Sequence, residues 1–162
     1  MKILVALVLS CFWISPIDLG TIRADFEKAD NSKANTEHLY HILKGYDKGD
    51  PVIQAYKGAV YGLQARYITD KKDKKELVVA GIKNIEAAVK SAPNNVEIRL
   101  IRLIIQENTP KILKYKMDID TDKQMILTNF SAQNTAVKDL VRRYVTKRSG
   151  VFTASEIDKL SK

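Results

Sequence analysis

The chain contains few residues that interrupt helices and almost none that form disulfides. Its 162 residues include only seven glycines, four prolines and a single cysteine, Cys11. So few breakers disfavour a barrel or a sandwich, which needs many turns, and they leave room for long helices. With 45% hydrophobic and 28% charged residues, the chain is also too apolar to be disordered. The composition therefore predicts a single all-α domain.

The first residues differ from everything that follows them. Lys2 precedes an almost unbroken apolar run from Ile3 to Ile14. The run is shorter than the ~20 residues that a stable membrane-spanning helix needs, but it is typical of the apolar part of a secretory signal peptide. We expect residues 1–24 to be removed on export, with the cut after Ala24, or alternatively after Gly20. The predicted location of the mature protein is periplasmic or secreted.

The lone cysteine falls inside the predicted signal peptide. Its removal would leave no thiol for a disulfide, a thiolate metal site or a nucleophile. An alternative is a lipoprotein signal, in which Cys11 becomes the acylated first residue and anchors the protein. Loss of residues 1–24 takes away Lys2, Arg23 and Asp18 and leaves 25 basic residues against 18 acidic ones, about +7. That excess favours acidic partners or anionic surfaces.

The rest of the chain is predicted to comprise a lead-in and one helical domain. Residues 25–34 are polar and are predicted to be a flexible lead-in, whereas residues 35–162 carry apolar residues at helical spacing. About six to seven helices are expected. Residues 95–108 are so apolar that their periodicity fits both a helix and a buried strand. Their length and the preceding Pro93-Asn94-Asn95 turn favour the helix.

Capping residues predict where most of these helices start. Side chains of Asp, Asn, Ser and Thr accept hydrogen bonds from the free N–H groups of a first turn, and proline suits the first helical position. A glutamate three residues after the cap completes a capping box. The predicted start signals are Asn35 or Thr36, Asp50 with Pro51, Asp73 with Glu76, Asp120 or Thr121, Asn134 or Thr135, and Thr153 with Glu156.

Small residues recur on the helix that begins at Pro51. Gly58 and Gly62 each cost a helix about 1 kcal/mol of propensity relative to alanine. Such a cost is understandable where another helix packs too closely for a side chain. We therefore expect this helix to have a close neighbour.

A spaced set of residues resembles a known repeat. Gly81, Ile85, Ala88 and Pro93 follow the pattern Gly-x3-Ile-x2-Ala-x4-Pro, and Asn94-Asn95 come next. This run of about 20 residues resembles the second helix of a tetratricopeptide repeat and the turn after it. The resemblance implies a short right-handed stack of antiparallel helical hairpins with a groove for a protein or peptide partner.

No catalytic or metal-binding motif is complete in the sequence. Asp118, Asp120 and Asp122 begin like a calcium-binding loop, but Lys123 and Asn129 stand where that loop needs glycine and a bidentate glutamate. Helix-capping acids are the better interpretation. We predict no metal, no cofactor and no enzymatic activity.

Candidate partner-binding residues come from three predicted helices. The two arginines of residues 95–108 either pair with acids at the edge of the helical stack or line its concave face. The helix near residue 140 carries a basic side that is either solvated or contacts anionic lipid or an acidic partner. The candidates are Arg99, Arg102, Tyr61, Lys138, Arg142 and Arg143.

Three functions remain open from the sequence. The leading hypothesis is an exported, non-enzymatic helical-repeat protein that binds a protein or peptide in the cell envelope. The first alternative is docking on an anionic surface through the basic C-terminal side, and the second is an enzyme of unrecognised type. Nucleic acid is disfavoured, because export separates the chain from it and no aromatic platform accompanies the charges.

Overall fold

The structure is a computed structural model, and it describes residues 18–47, 49–147 and 150–161. The predicted apolar segment and Cys11 lie outside these described residues. Within them the chain forms eight α-helices and no strand, which confirms the all-α class. Tetratricopeptide-like stacking stays a prediction. The helices are α1 (Leu19–Ala29), α2 (Lys33–Leu43), α3 (Pro51–Ala65), α4 (Lys71–Ser91), α5 (Val96–Asn108), α6 (Ile119–Asn129), α7 (Thr135–Lys147) and α8 (Ala154–Ser161).

Three predicted helix starts are confirmed in detail. The Asn134 side-chain oxygen caps α7 by accepting from the Val137 N–H at 3.0 Å. The Asp50 carboxylate caps α3 by accepting from the backbone N–H of Val52 at 2.8 Å. The Thr153 N–H donates to Glu156 at 2.7 Å, and the Glu156 N–H donates to the Thr153 hydroxyl at 3.4 Å. A hydrogen bond from Lys123 lowers the pKa of Glu156 to about 2, so this box keeps its charge in mild acid.

Three predicted starts are wrong by a few residues. Ser32, not Asn35 or Thr36, caps α2, and Asp70, not Asp73, caps α4 with bonds of 2.8 and 2.9 Å to the next free N–H groups. Helix α6 begins at Ile119, ahead of its predicted cap. For α2 and α4 an earlier residue also bonds the free N–H groups and lengthens the helix, whereas the Asp118 side chain makes no such bond at the start of α6.

Residues predicted as a lead-in belong to the folded domain. The structure places residues 25–34 in α1, a short turn and the first turn of α2. Asp18 caps α1 by accepting from the Thr21 N–H at 2.8 Å, and Ile22 is buried in the core. The Thr36 hydroxyl then donates to the Ala29 carbonyl at 2.7 Å and joins the two helices. Ile22, Phe26 and Ala29 supply the helical spacing that their polar neighbours hide in the sequence.

The predicted close neighbour of α3 is α4. A Cβ atom at Gly58 would lie 2.5 Å from the Gly81 carbonyl oxygen, and one at Gly81 would lie 2.7 Å from the Gly58 oxygen. The two backbones therefore touch where neither helix has a side chain. A Cβ atom at Gly62 would have nothing within 4 Å, so close approach does not explain that glycine.

Two hydrophobic cores meet at α5. One core collects apolar side chains from α1 to α4, and the other collects them from α6 to α8 and the residues between. Ile98 and Ile101 of α5 belong to the first core, and Leu100 and Leu103 belong to the second. Helix α5 therefore buries apolar side chains on two faces, one against each core.

A candidate binding groove between four helices

An apolar groove opens between α1, α3, α5 and α7, and we call it the four-helix groove. Its volume is about 230 Å³. Helix α5 packs between the two cores and brings these four helices together. The groove therefore lies where the two cores meet. Its apolar lining residues are Phe26, Leu63, Leu100, Ile101, Ile104, Ile105 and Leu140.

One wall of the groove is held by a buried carboxylate. Glu97 is buried, and its two oxygens accept from the Arg23 guanidinium at 2.8 and 2.6 Å. The Tyr56 hydroxyl donates to the same carboxylate at 2.8 Å. The hydrogen bond to Glu97 raises the pKa of Arg23, and burial raises the pKa of Tyr56. This cluster fixes α1 against α3 and α5 and makes the wall rigid.

The rim of the groove carries two exposed ion pairs. Arg143 of α7 reaches Glu27 of α1 at 2.7 Å, and both side chains are 44% exposed. Arg66, the residue after α3, reaches Asp30 at 3.1 Å. Exposed pairs of this kind contribute about 0–1 kcal/mol, so a competing charge displaces them easily. With Lys147, the rim carries more basic than acidic side chains.

A tyrosine on the α7 side adds a polar group to the lining. The Tyr144 hydroxyl is buried and has no hydrogen-bond partner within the described residues. A buried hydroxyl without a partner costs free energy.

Arg99 and Arg102 lie away from the groove, in a buried ionic cluster. The Arg102 guanidinium donates to both oxygens of Asp122 at 2.7 and 2.8 Å, and Arg99 donates to the same carboxylate at 3.0 Å. Asp122 is fully buried, and Gln106 also donates to it at 3.3 Å. The interpretation of Asp122 as a capping acid is therefore wrong, because its carboxylate joins α6 to α5.

The same cluster reaches the segment that follows α5. Arg102 also donates to Glu86 of α4 at 3.0 Å, and the Tyr115 hydroxyl donates to that carboxylate at 2.5 Å. Burial alone would lower the pKa of Arg102, but its hydrogen bonds to Asp122 raise it. These arginines hold α4, α5 and α6 together. Of the two alternatives that the sequence leaves open, pairing with acids is therefore the one observed. Neither guanidinium faces the groove.

Of the remaining candidates, only Arg143 lines the groove. Tyr61 packs against Tyr40 with ring centroids 5.2 Å apart, and Lys138 and Arg142 lie over the Phe130 ring at 6.0 and 5.5 Å. The basic side of α7 is thus divided between an aromatic contact and the groove rim. Partner binding by these residues stays a prediction.

The chain matches no protein-family model, no curated protein and no solved structure. The relation to tetratricopeptide repeats therefore stays a resemblance. In the described ranges, no helix is both long and apolar enough to cross a bilayer. Nor does the described part of the chain bring three or more histidine, cysteine, aspartate or glutamate side chains together as a metal site.

Proposed function

We propose that this protein is a non-enzymatic binding protein that holds an amphipathic segment of a protein partner in the four-helix groove. The observation that carries the proposal is the combination of an apolar floor with a charged rim that has three basic and two acidic side chains. Apolar grooves between helices commonly take the apolar face of a partner helix or peptide. Acidic residues beside those apolar side chains suit Arg66, Arg143 and Lys147.

The size of the groove supports a protein segment over a small molecule. Pockets for small ligands usually enclose roughly 300–1,000 Å³, and this groove has about 230 Å³. That space suits one or two apolar side chains, which is how most anchor residues of protein interfaces bind.

The rim pair offers a simple way to admit an acidic partner. Arg143 and Glu27 connect α7 and α1 across the groove through an exposed contact. A carboxylate on the partner replaces Glu27 as the ion-pair partner of Arg143, so the guanidinium stays paired when the partner binds.

Docking on an anionic surface through the basic side of α7 has less support. Lys138 and Arg142 lie over Phe130, and Arg143 is paired with Glu27. Arg148 lies outside the described residues. These contacts hold several of the positive charges that this alternative needs.

A photocrosslinking experiment tests the groove directly. A benzophenone amino acid at Asn108, an exposed residue of the groove lining, should crosslink one protein in the native cell envelope. The captured peptide, identified by mass spectrometry, should be amphipathic and acidic. The Lys147→Glu variant should reduce that crosslink by about tenfold, because it reverses a charge on the rim.

The matched control places the same photocrosslinker at Asn94. This asparagine is also exposed, but it lies in the turn between α4 and α5 and outside the groove lining. Equal capture from both positions, or no capture from position 108, would falsify the groove as the binding site.

We further propose that the protein is exported and that processing leaves α1 intact. A cut after Ala24 would remove the Asp18 cap, buried Ile22 and the Arg23 partner of Glu97. A cut before Asp18 keeps all three. Intact-mass analysis of the protein recovered from the envelope should give a first residue at or before position 18. A mature protein that starts at Asp25 contradicts this boundary, and an acylated Cys11 would identify the lipoprotein alternative.

A further inference from the structure

The segment between α5 and α6 exposes large apolar side chains among lysines. Residues 111–117 form this segment, which we call the lysine–apolar loop. Ile112 and Met117 are each 87% exposed, and Leu113 is 45% exposed. These are the three most exposed of the large hydrophobic residues found exposed in the described ranges. The loop concentrates in seven residues the kind of surface that folded proteins usually avoid.

The loop is held in place by polar contacts at its base. The Tyr115 hydroxyl donates to Glu86 at 2.5 Å, and the Lys116 ammonium donates to the Glu107 carbonyl at 2.8 Å. The Asp118 N–H donates to the Gln106 side chain at 3.1 Å. A 3₁₀ turn over Lys111–Leu113 ends at Lys114, which has a φ of 50°. The fold therefore fixes the loop and leaves its apolar side chains outside.

The charge of the loop has one sign. Lys111, Lys114 and Lys116 are its only ionised side chains, and no acid occurs between positions 111 and 117. Lys111 and Lys114 are exposed beside Ile112 and Leu113. Apolar side chains flanked by ammonium groups form an amphiphilic surface.

We propose that the lysine–apolar loop inserts into the surface of an anionic bilayer. Ile112, Leu113 and Met117 enter the boundary between headgroups and acyl chains, and the Lys111 and Lys114 ammonium groups contact lipid phosphates. A protein interface fits this surface less well, because lysine is depleted at the centres of such interfaces. Lipid headgroups accept lysines without the need for a buried partner, since the long side chain keeps its ammonium in water. This surface is separate from the four-helix groove.

A tryptophan probe tests insertion at a single position. Trp13 is the only native tryptophan, so Ile112→Trp is made in the full chain in a Trp13→Phe background. Vesicles contain phosphatidylglycerol and phosphatidylcholine, or phosphatidylcholine alone, with brominated acyl chains that quench tryptophan on contact. We expect a blue shift and at least threefold quenching on the anionic vesicles only, because apolar insertion needs the added attraction of the headgroups.

Two controls separate the loop from other contacts. Ile42→Trp, in the same background, places the probe at an apolar residue of α2 that is 37% exposed. It should show little quenching. Each probe is quenched only when its own position contacts the brominated acyl chains. Binding through the apolar Ile3–Ile14 segment therefore does not by itself produce quenching at position 112.

Charge variants provide a second measurement. Lys111→Gln with Lys114→Asn removes two charges and keeps the turn, since asparagine tolerates a positive φ. The anionic lipid concentration that half-quenches the position 112 probe should rise about 25-fold, or about fivefold for each lysine. Lys71→Gln with Lys74→Asn removes two exposed lysines from the first turn of α4. This control should change the half-quenching lipid concentration less than twofold.

Quenching at position 112 no greater than at position 42 overturns the proposal. A blue shift that grows with protein concentration without vesicles also overturns it, because a second copy then covers the loop.

Discussion

Replacing Asp122 with alanine is expected to lower the free energy of unfolding by about 3–5 kcal/mol, the usual cost of removing one partner of a buried ion pair. The variant leaves the buried Arg102 guanidinium without the two hydrogen bonds of 2.7 and 2.8 Å that balance its burial. It also removes the carboxylate that accepts from Arg99 and Gln106. Urea unfolding followed by circular dichroism measures the loss, which is a large share of the 5–15 kcal/mol typical of a domain.

Asp120→Ala is the matched control for this prediction. Asp120 lies in the same first turn of α6 but is exposed. Its loss should cost no more than about 1 kcal/mol, the contribution of one acidic side chain to the helix dipole. If the two variants have the same stability within error, the buried cluster does not hold α6 to α5 as described.

Gly58→Ala is expected to lower the free energy of unfolding by roughly 1–3 kcal/mol, the range for overpacking a close contact. The new Cβ would lie 2.5 Å from the Gly81 carbonyl oxygen and 2.7 Å from Ile85 Cγ1. A backbone oxygen cannot rotate away, so α3 and α4 must separate. The gain of about 1 kcal/mol in helix propensity offsets part of the loss. Thermal and urea unfolding measure the difference.

Gly62→Ala should change stability in the opposite direction. Gly62 lies on the same helix, and a Cβ there meets nothing within 4 Å. The variant should therefore gain up to about 1 kcal/mol from helix propensity alone. A loss of stability at Gly62, or a gain at Gly58, would show that the contact between the two helices is not the one described.

Local sequence patterns predicted much of the helical structure. Asp50 before Pro51 and the Thr153–Glu156 box identify their helix starts because a cap acts on N–H groups within three residues. The length of residues 95–108 and the turn before them favour a helix, and the structure has one at Val96–Asn108. Helix α1 was missed because its few apolar residues, such as Ile22 and Phe26, become informative only when α2 and α3 cover them.

The groove could not be predicted from local patterns. Its lining runs from Arg23 to Lys147 along the chain and is assembled by four helices. Of the six candidate residues only Arg143 reaches it. Asp122 illustrates the same limit, because a carboxylate in a first turn has the sequence signature of a capping acid wherever it lies. Its burial depends on Arg99 and Arg102, which reach it from the preceding helix.

The position of α5 between the two cores bears on the order in which the protein can be assembled during synthesis. The first core is complete in sequence once Ile101 has been made, whereas the second extends to Leu160. A chain delivered from its N-terminus therefore passes through a stage in which Leu100 and Leu103 have no covering helix. Exposed apolar faces of this kind attract chaperones or other unfinished chains. The helix that joins the two cores of the finished molecule thus leaves an apolar face uncovered in the growing chain.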